Sequence, residues 1–169
     1  THAFHNFTKG IKLNEGRANR FILSFKVMDD PVVHADSGLE WITCQVVGQS
    51  FLMHQIRKMM SMALDVGRGA APLETMERAM DPSVIMRLNV APSAGLFMDM
   101  SYYQGYNRRK NQHKNDLNDI EWDDAKNPAH ARWNDFKEKV VLKQIMDEEV
   151  QYGNFLKYLY QQEYYFDYK

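Results

Sequence analysis

The segment GQSFLMHQIRKMM, residues 48–60, places a charged side chain within an apolar helical pattern. Arg57 lies three or four positions from Met53 and Met60, so a helix would put all three on one face. A guanidinium stays protonated, and burying it without a counterion is costly, so Arg57 needs a carboxylate partner. The residues alone leave two interpretations open: a structural ion pair, or part of an active site.

The acids of this chain offer no obvious partner for Arg57. Asp65 lies two helical turns away, and Asp99 alternates with the apolar positions of a predicted strand. The chain opens on THAFHNFT, which is already dense in aromatic side chains and is typical of the interior of a larger protein. We therefore expect the chain to be a fragment, with the carboxylate in the part that is missing.

The sequence gives little support for a metal site, a disulfide or a phosphate-binding loop. His2 and His5 are three residues apart with no carboxylate at ligand spacing, which favours local hydrogen bonding over metal binding. Cys44 is the single cysteine, so an internal disulfide is excluded and a reducing compartment is expected. The glycines of 67–69 lack the context of a phosphate-binding loop. The sequence predicts no metal site and no cofactor.

The elements that must position Arg57 follow from hydrophobic periodicity. The pattern predicts a hairpin of two strands, a helix with Ser50 as a possible N-cap, a short second helix, and a strand in which apolar residues alternate. It then predicts a polar linker and a helical tail that breaks near 147–153. In chain order the predicted bounds are 21–28, 39–47, 51–66, 72–80, 96–103, 107–127 and 130–165. The fold class is α+β, with an antiparallel or mixed sheet flanked by helices and a C-terminal helical extension.

Three domains are expected, covering 1–107, 108–129 as a linker, and 130–169. Residues 1–114 carry 14 basic and 10 acidic side chains, whereas residues 115–169 carry 7 and 12. A basic body with an acidic tail is compatible with a polyanionic partner. No apolar run approaches the roughly 20 residues needed to span a bilayer, so no membrane association is expected.

Three segments, THAFHNFT (1–8), GQSFLMHQIRKM (48–59) and APSAGLFMDMSYYQGYN (91–107), carry a family resemblance. In order and spacing they resemble the C-terminal half of the TruA-type tRNA pseudouridine synthases, and among these the eukaryotic Pus1 type. The resemblance implies isomerisation of uridine to pseudouridine in tRNA without cofactor or metal. An aspartate attacks the flipped-out nucleotide, the glycosidic bond breaks, and the base is rejoined through carbon.

In this family the aspartate lies in an RTDxGVHA-like motif, N-terminal to HNFT, and this chain has no such motif. The resemblance therefore implies that the chain alone is inactive and needs the N-terminal half of the same catalytic domain as a partner. The alternative is a non-catalytic RNA-binding or protein-interaction module on the same scaffold. The expected location is intracellular, in the nucleus, with the mitochondrion as the alternative.

Residue by residue, Arg57 matches the arginine that pairs with the nucleophilic aspartate, and Leu96 matches the leucine that packs against the target base. A neighbouring positive charge keeps a carboxylate ionised and oriented, and an extruded base needs apolar packing. Arg57 and Leu96 are expected at one cleft edge. Candidate phosphate contacts, each also compatible with an ordinary solvated side chain, are His54, Lys58, Lys9, Lys12, Arg17 and Arg20.

Overall fold

Short strands pair into two-stranded antiparallel ladders in the computed structural model, which describes residues 1–112 and 118–165. In chain order the strands are His2–Ala3 (β1), Asn19–Arg20 (β2), Ile22–Val27 (β3), Val32–Val33 (β4), Glu40–Trp41 (β5) and Cys44–Gly48 (β6). β1 pairs with β2, β3 with β6, and β4 with β5. The predicted hairpin is confirmed, although its second strand is divided into β5 and β6.

The β3–β6 ladder contains a bulge at its first residues. Ile22 pairs with Gly48 and Ser24 with Val47, so two residues of β3 oppose one of β6. Such a bulge bends a strand and increases its twist. The ladder ends beside the segment that leads into the first helix.

The helical segments of the described residues follow in chain order. They are a 3₁₀ turn Gly16–Ala18, Gln55–Gly67 (α1), Glu74–Met80 (α2), Gln104–Gln112 (α3), Pro128–Phe136 (α4), a π-helical segment Lys137–Leu142, Lys143–Tyr152 (α5) and Asn154–Tyr165 (α6). Gly153 separates α5 from α6 with a positive φ of 59°, a conformation that glycine adopts at little cost. The predicted break in the helical tail is therefore confirmed. The architecture is α+β, as predicted.

The chain groups into two compact units, one made of 1–93 with 152–169 and the other of 94–151. The first unit holds a hydrophobic core in which Phe4 and Phe7 pack edge to face, with ring centroids 5.4 Å apart. The remaining buried members of this core are Met62, Ala79, Met86 and Leu88. The three-domain division of the chain stays a prediction.

Two elements differ from the prediction in the region 96–112. Residues 96–103 form no strand, because no ladder partner pairs with them among the described residues. Residues 104–112 form α3, whereas a linker was predicted from residue 107 onward. The Asn107 side chain accepts a hydrogen bond from the Ile120 N–H and donates one to the Ile120 carbonyl, both at 3.0 Å, which ties this polar helix to a later segment. Residues 113–117 of the predicted linker lie outside the described residues.

None of the helices in the described part of the chain is both long enough and apolar enough to cross a membrane.

Candidate functional site

Segments that are distant in sequence meet at the first turn of α1. The Thr8 hydroxyl donates a hydrogen bond to the Met53 carbonyl at 2.9 Å, which joins the HNFT segment to the turn before the helix. On the other side, the Ala91 N–H donates to the Arg57 carbonyl at 3.3 Å. The beginnings of all three motif segments therefore lie within one compact unit.

Gln55 closes the turn that leads into α1. Its N–H donates to the Leu52 carbonyl at 3.1 Å, and its side-chain oxygen accepts from the Leu52 N–H at 2.8 Å. Gln55 is fully buried. These reciprocal bonds, similar to a capping box, start the helix at Gln55, so the prediction of Ser50 as N-cap is wrong. Sequence reasoning missed Gln55.

His54, the residue before α1, has a left-handed backbone conformation with φ 64°. An L-residue with a Cβ is disfavoured there by roughly 1–2 kcal/mol. The half-buried imidazole is thereby held at the entrance of the helix. Strain of this kind often marks functional positions, and contact of His54 with RNA stays a prediction.

Replacing His54 with glycine should raise the free energy of unfolding by about 0.5–1 kcal/mol, because relief of strain exceeds the added entropy of the unfolded chain. Asn14→Gly is the matched control, since Asn14 has φ 59° and the short polar side chain of asparagine can hydrogen-bond locally in this region, so little gain is expected. Urea unfolding curves with an unchanged m-value measure both effects. A loss of stability in His54→Gly would show that the backbone is not strained at this position.

Arg57 is fixed by the main chain of the 91–107 motif. Its Nε–H donates to the Ala91 carbonyl at 2.6 Å, in addition to the backbone bond between the two residues. The two terminal amino groups of the half-buried guanidinium form no hydrogen bond to any residue in 1–112 or 118–165. The Nε–H side of the guanidinium is thus held by the Ala91 carbonyl. The two terminal amino groups remain available to donate two hydrogen bonds to a carboxylate.

Both acids considered as partners of Arg57 are paired with other residues. Asp65 forms an ion pair with Arg68 at 3.1 Å. Asp99 accepts from Lys137 Nζ and from the indole N–H of Trp133, each at 3.0 Å. Within the described part of the chain Arg57 forms no ion pair. Neither acid therefore pairs with Arg57, which argues against its interpretation as a structural ion-pair residue.

Lys58 connects α1 to the HNFT segment. Its ammonium donates to the carbonyls of Asn6 and Thr8, both at 2.9 Å. Burial lowers the pKa of Lys58 below its usual range, since a desolvated ammonium is disfavoured. Lys58 thus has a structural role, and its contact with phosphate stays a prediction.

The other predicted phosphate contacts fall into two groups. Arg17 pairs with Glu15, and Arg20 donates to the carbonyls of Arg17 and Asn19. The ammonium groups of Lys9 and Lys12 are exposed and bond to no side chain or carbonyl in the described ranges. Lys12 also lines an open cavity of about 500 Å³ beside the HNFT segment, to which Lys58 contributes. Lys9 and Lys12 are therefore the stronger candidates of the four for phosphate contact.

The side chains of Asn6 and His5 form hydrogen bonds to the main chain of residues 79–86. Sequence reasoning assigned no role to Asn6. The Asn6 amide donates to the carbonyls of Ala79 and Val84, and its oxygen accepts from the Met86 N–H, all at 2.9 Å. The His5 ring bonds the same Val84 carbonyl at 2.7 Å. His5 is thus hydrogen-bonded, as predicted, but its partner is 79 residues away in the sequence and the bond is not local. The only sequence signal for Asn6 is its place within HNFT.

Leu96 belongs to the second unit, where 46% of it is exposed. Met98 is 79% exposed, whereas Phe97 and Asp99 between and after them are half-buried. The bonds from Lys137 and Trp133 to Asp99 hold this segment against α4 and the π-helical segment. The side of the segment that carries Leu96 is thus presented outward within its unit, and its predicted position near Arg57 stays a prediction.

A family model described as tRNA pseudouridine synthase matches residues 1–103. The matched range contains Arg57, Ala91 and Leu96, together with the whole HNFT segment. It ends before α3 begins.

Curated relatives from yeasts carry the same kind of name. The chain is 42% identical over 111 residues to tRNA pseudouridine synthase 1 of Saccharomyces cerevisiae, covering 66% of the chain and 20% of that protein. It is 41% identical over 108 residues to tRNA pseudouridine synthase 1 of Candida glabrata, covering 64% and 19%. The corresponding Kluyveromyces lactis protein is 35% identical over 150 residues, covering 89% and 26%. The chain therefore spans about a fifth to a quarter of the length of these relatives.

Proposed function

Because the chain belongs to the tRNA pseudouridine synthase family, we propose that it is the C-terminal part of an enzyme that isomerises uridine to pseudouridine in tRNA. The nucleophilic aspartate is supplied by the N-terminal half of the same catalytic domain, outside these 169 residues. Yeast relatives named tRNA pseudouridine synthase 1 support the activity and the substrate. The match covers only 20% of the Saccharomyces cerevisiae protein, which leaves room for the aspartate motif outside these 169 residues.

The geometry of Arg57 is the observation that carries this proposal. Its Nε–H is bound to the Ala91 carbonyl, and its terminal amino groups have no partner in the described ranges. A carboxylate docking end-on would receive two parallel hydrogen bonds and a positive charge. That charge lowers the pKa of a neighbouring aspartate, which keeps it ionised and ready to attack the sugar carbon.

The apolar side chains exposed on the β3–β6 ribbon support the proposal that the N-terminal half of the catalytic domain covers them. A two-stranded ladder is marginal in water unless further strands or helices cover it. Large apolar side chains of this ribbon and its tip are more than half exposed, namely Leu23, Val27, Val32, Val33 and Ile42. Such a patch is typical of a surface that another part of the protein covers.

Leu96 supplies the apolar contact that the reaction needs. An extruded uracil loses its stacking neighbours, and an exposed leucine beside Met98 offers it a replacement surface. The base must stay in place after the glycosidic bond breaks, because it has to turn and bond again through C5. Packing rather than hydrogen bonding suits a base that changes orientation.

The decisive experiment uses the full-length protein and tRNA labelled with tritium at C5 of uridine. Formation of the new carbon–carbon bond expels the C5 hydrogen, so tritium release reports the isomerisation directly. We expect release by the full-length protein and none by residues 1–169 alone. A full-length protein that binds tRNA but releases no tritium would contradict the enzyme and favour the non-catalytic RNA-binding module.

The free lysines of the loop 9–20 should set the salt dependence of tRNA binding. Replacing Lys9 and Lys12 by glutamine should reduce the slope of log K against log salt by about 1.5, at about 0.7–0.9 per lost phosphate contact. Lys126→Gln, at another exposed position, is the matched control and should leave the slope unchanged. An unchanged slope of log K against log salt in the double variant would show that Lys9 and Lys12 do not contact the phosphates of tRNA.

A further inference from the structure

The helix α6, which belongs to the first unit, forms polar contacts with α1 and with the segment before Ala91. The Tyr158 hydroxyl donates to the Ser61 hydroxyl at 2.6 Å. The Gln162 side-chain oxygen accepts from the Asn89 amide. Tyr158 and Gln162 are both 7% exposed, and Ser61 is fully buried. Polar contacts in such surroundings are geometrically demanding, because a lost partner leaves a buried polar group unsatisfied.

The partners of α6 lie on the two elements that hold Arg57. Ser61 is one turn after Arg57 on α1. Asn89 is two residues before Ala91, whose carbonyl binds the guanidinium. One helix therefore contacts both the element that carries Arg57 and the segment that fixes it.

The Tyr158 hydroxyl lies in surroundings that disfavour its ionised form. Burial raises the pKa of the Tyr158 hydroxyl above its ordinary value of 10.0, with a smaller opposing effect of the Ser61 hydrogen bond. The hydroxyl therefore remains a protonated donor at neutral pH. The family model matches residues 1–103, so α6 lies outside the range that it matches.

We propose that α6 is a brace that sets the distance between α1 and the 89–91 segment, with Tyr158 and Gln162 as positioning residues for Arg57. This role rests on the proposed function, in which Arg57 holds the nucleophilic aspartate. Displacement of a catalytic contact by about 1 Å can cost up to about 100-fold in rate, so a brace at this place affects turnover. Binding of tRNA, which depends on phosphate contacts elsewhere, is independent of the brace.

The test compares Tyr158→Phe, Gln162→Leu and the double variant with Tyr152→Phe as the matched control in the full-length protein. Tyr152 is an exposed tyrosine at the end of α5. Single-turnover tritium release under saturating enzyme is used, because its rate constant does not depend on the fraction of active protein. The double variant should lose roughly tenfold in this rate constant, with the Kd for tRNA unchanged. Tyr152→Phe should match the wild type.

Hydrogen exchange gives a readout that does not require activity. The Ala91 amide, bonded to the Arg57 carbonyl, should exchange faster in the double variant, whereas the Met86 amide, bonded to Asn6, should not. A wild-type rate constant together with unchanged exchange at Ala91 would overturn the brace, even if the melting temperature fell. A full-length wild-type protein that releases no tritium would overturn the proposed function instead. Comparing hydrogen exchange at the Ala91 amide between the wild type and the double variant would still test the role of α6.

Discussion

Arg57→Ala in the full-length protein should lower the rate of pseudouridine formation roughly 30-fold or more, since losing one partner of a desolvated charge pair costs about 2–5 kcal/mol. Without the guanidinium, the aspartate loses the positive charge that keeps it ionised and the two donors that orient it. The measurement is the single-turnover rate of tritium release from tRNA. Thermal unfolding of the same preparation shows whether the fold is intact.

Arg57→Lys separates charge from geometry. Lysine keeps the positive charge, but its single ammonium cannot bond the Ala91 carbonyl and also grip a carboxylate with two parallel bonds. We therefore expect most of the activity to be lost in this variant too. Arg78→Ala, at an exposed position of α2, is the matched control and should be fully active. An active Arg57→Ala protein would end the assignment of Arg57 to the catalytic site.

Asn6→Ala should lower the free energy of unfolding by about 3 kcal/mol or more, at about 1–3 kcal/mol for each buried group left unpaired. Asn6 is 4% exposed, and its amide serves the carbonyls of Ala79 and Val84 and the Met86 N–H. His5 still bonds the Val84 carbonyl, so the Ala79 carbonyl and the Met86 N–H bear most of the cost. Urea unfolding of the protein measures the difference.

Two further variants test whether this loss comes from hydrogen bonds. Asn6→Asp keeps the acceptor for the Met86 N–H, but it turns a carboxylate oxygen toward two carbonyls, so it should be at least as destabilising. Asn118→Ala, at an exposed position, should be neutral. A loss below about 1 kcal/mol in Asn6→Ala would indicate that water replaces the amide.

Local patterns predicted β3 and α1. The strand-forming residues of β3 and the helical periodicity of α1 are properties of neighbouring residues, and both elements form. The alternation at 96–103 is equally clear, yet a strand also needs a ladder partner, which periodicity does not supply. The helix α3 is polar on all sides, so no apolar stripe marks it in the sequence.

For the site, the resemblance selected Arg57, but the structure was needed to see how it is held. The acceptor on Ala91 is a main-chain oxygen, which leaves no side-chain signature in a sequence. The same is true of the two carbonyls that bind Lys58, a residue that sequence reasoning interpreted only through its charge. Pairing of Arg57 with an aspartate, and the roles of Leu96 and His54, stay predictions for the experiments above.

The main-chain acceptor at residue 91 also shapes how this gene can vary. A carbonyl oxygen is present whatever amino acid is encoded there, so no codon change at that position deletes the acceptor itself. Ala91 is only 2% exposed, and selection there should act on volume rather than on chemical type. The hydrogen bond from the Arg57 Nε–H is thus insensitive to the chemical type of the side chain at position 91 and sensitive to its size.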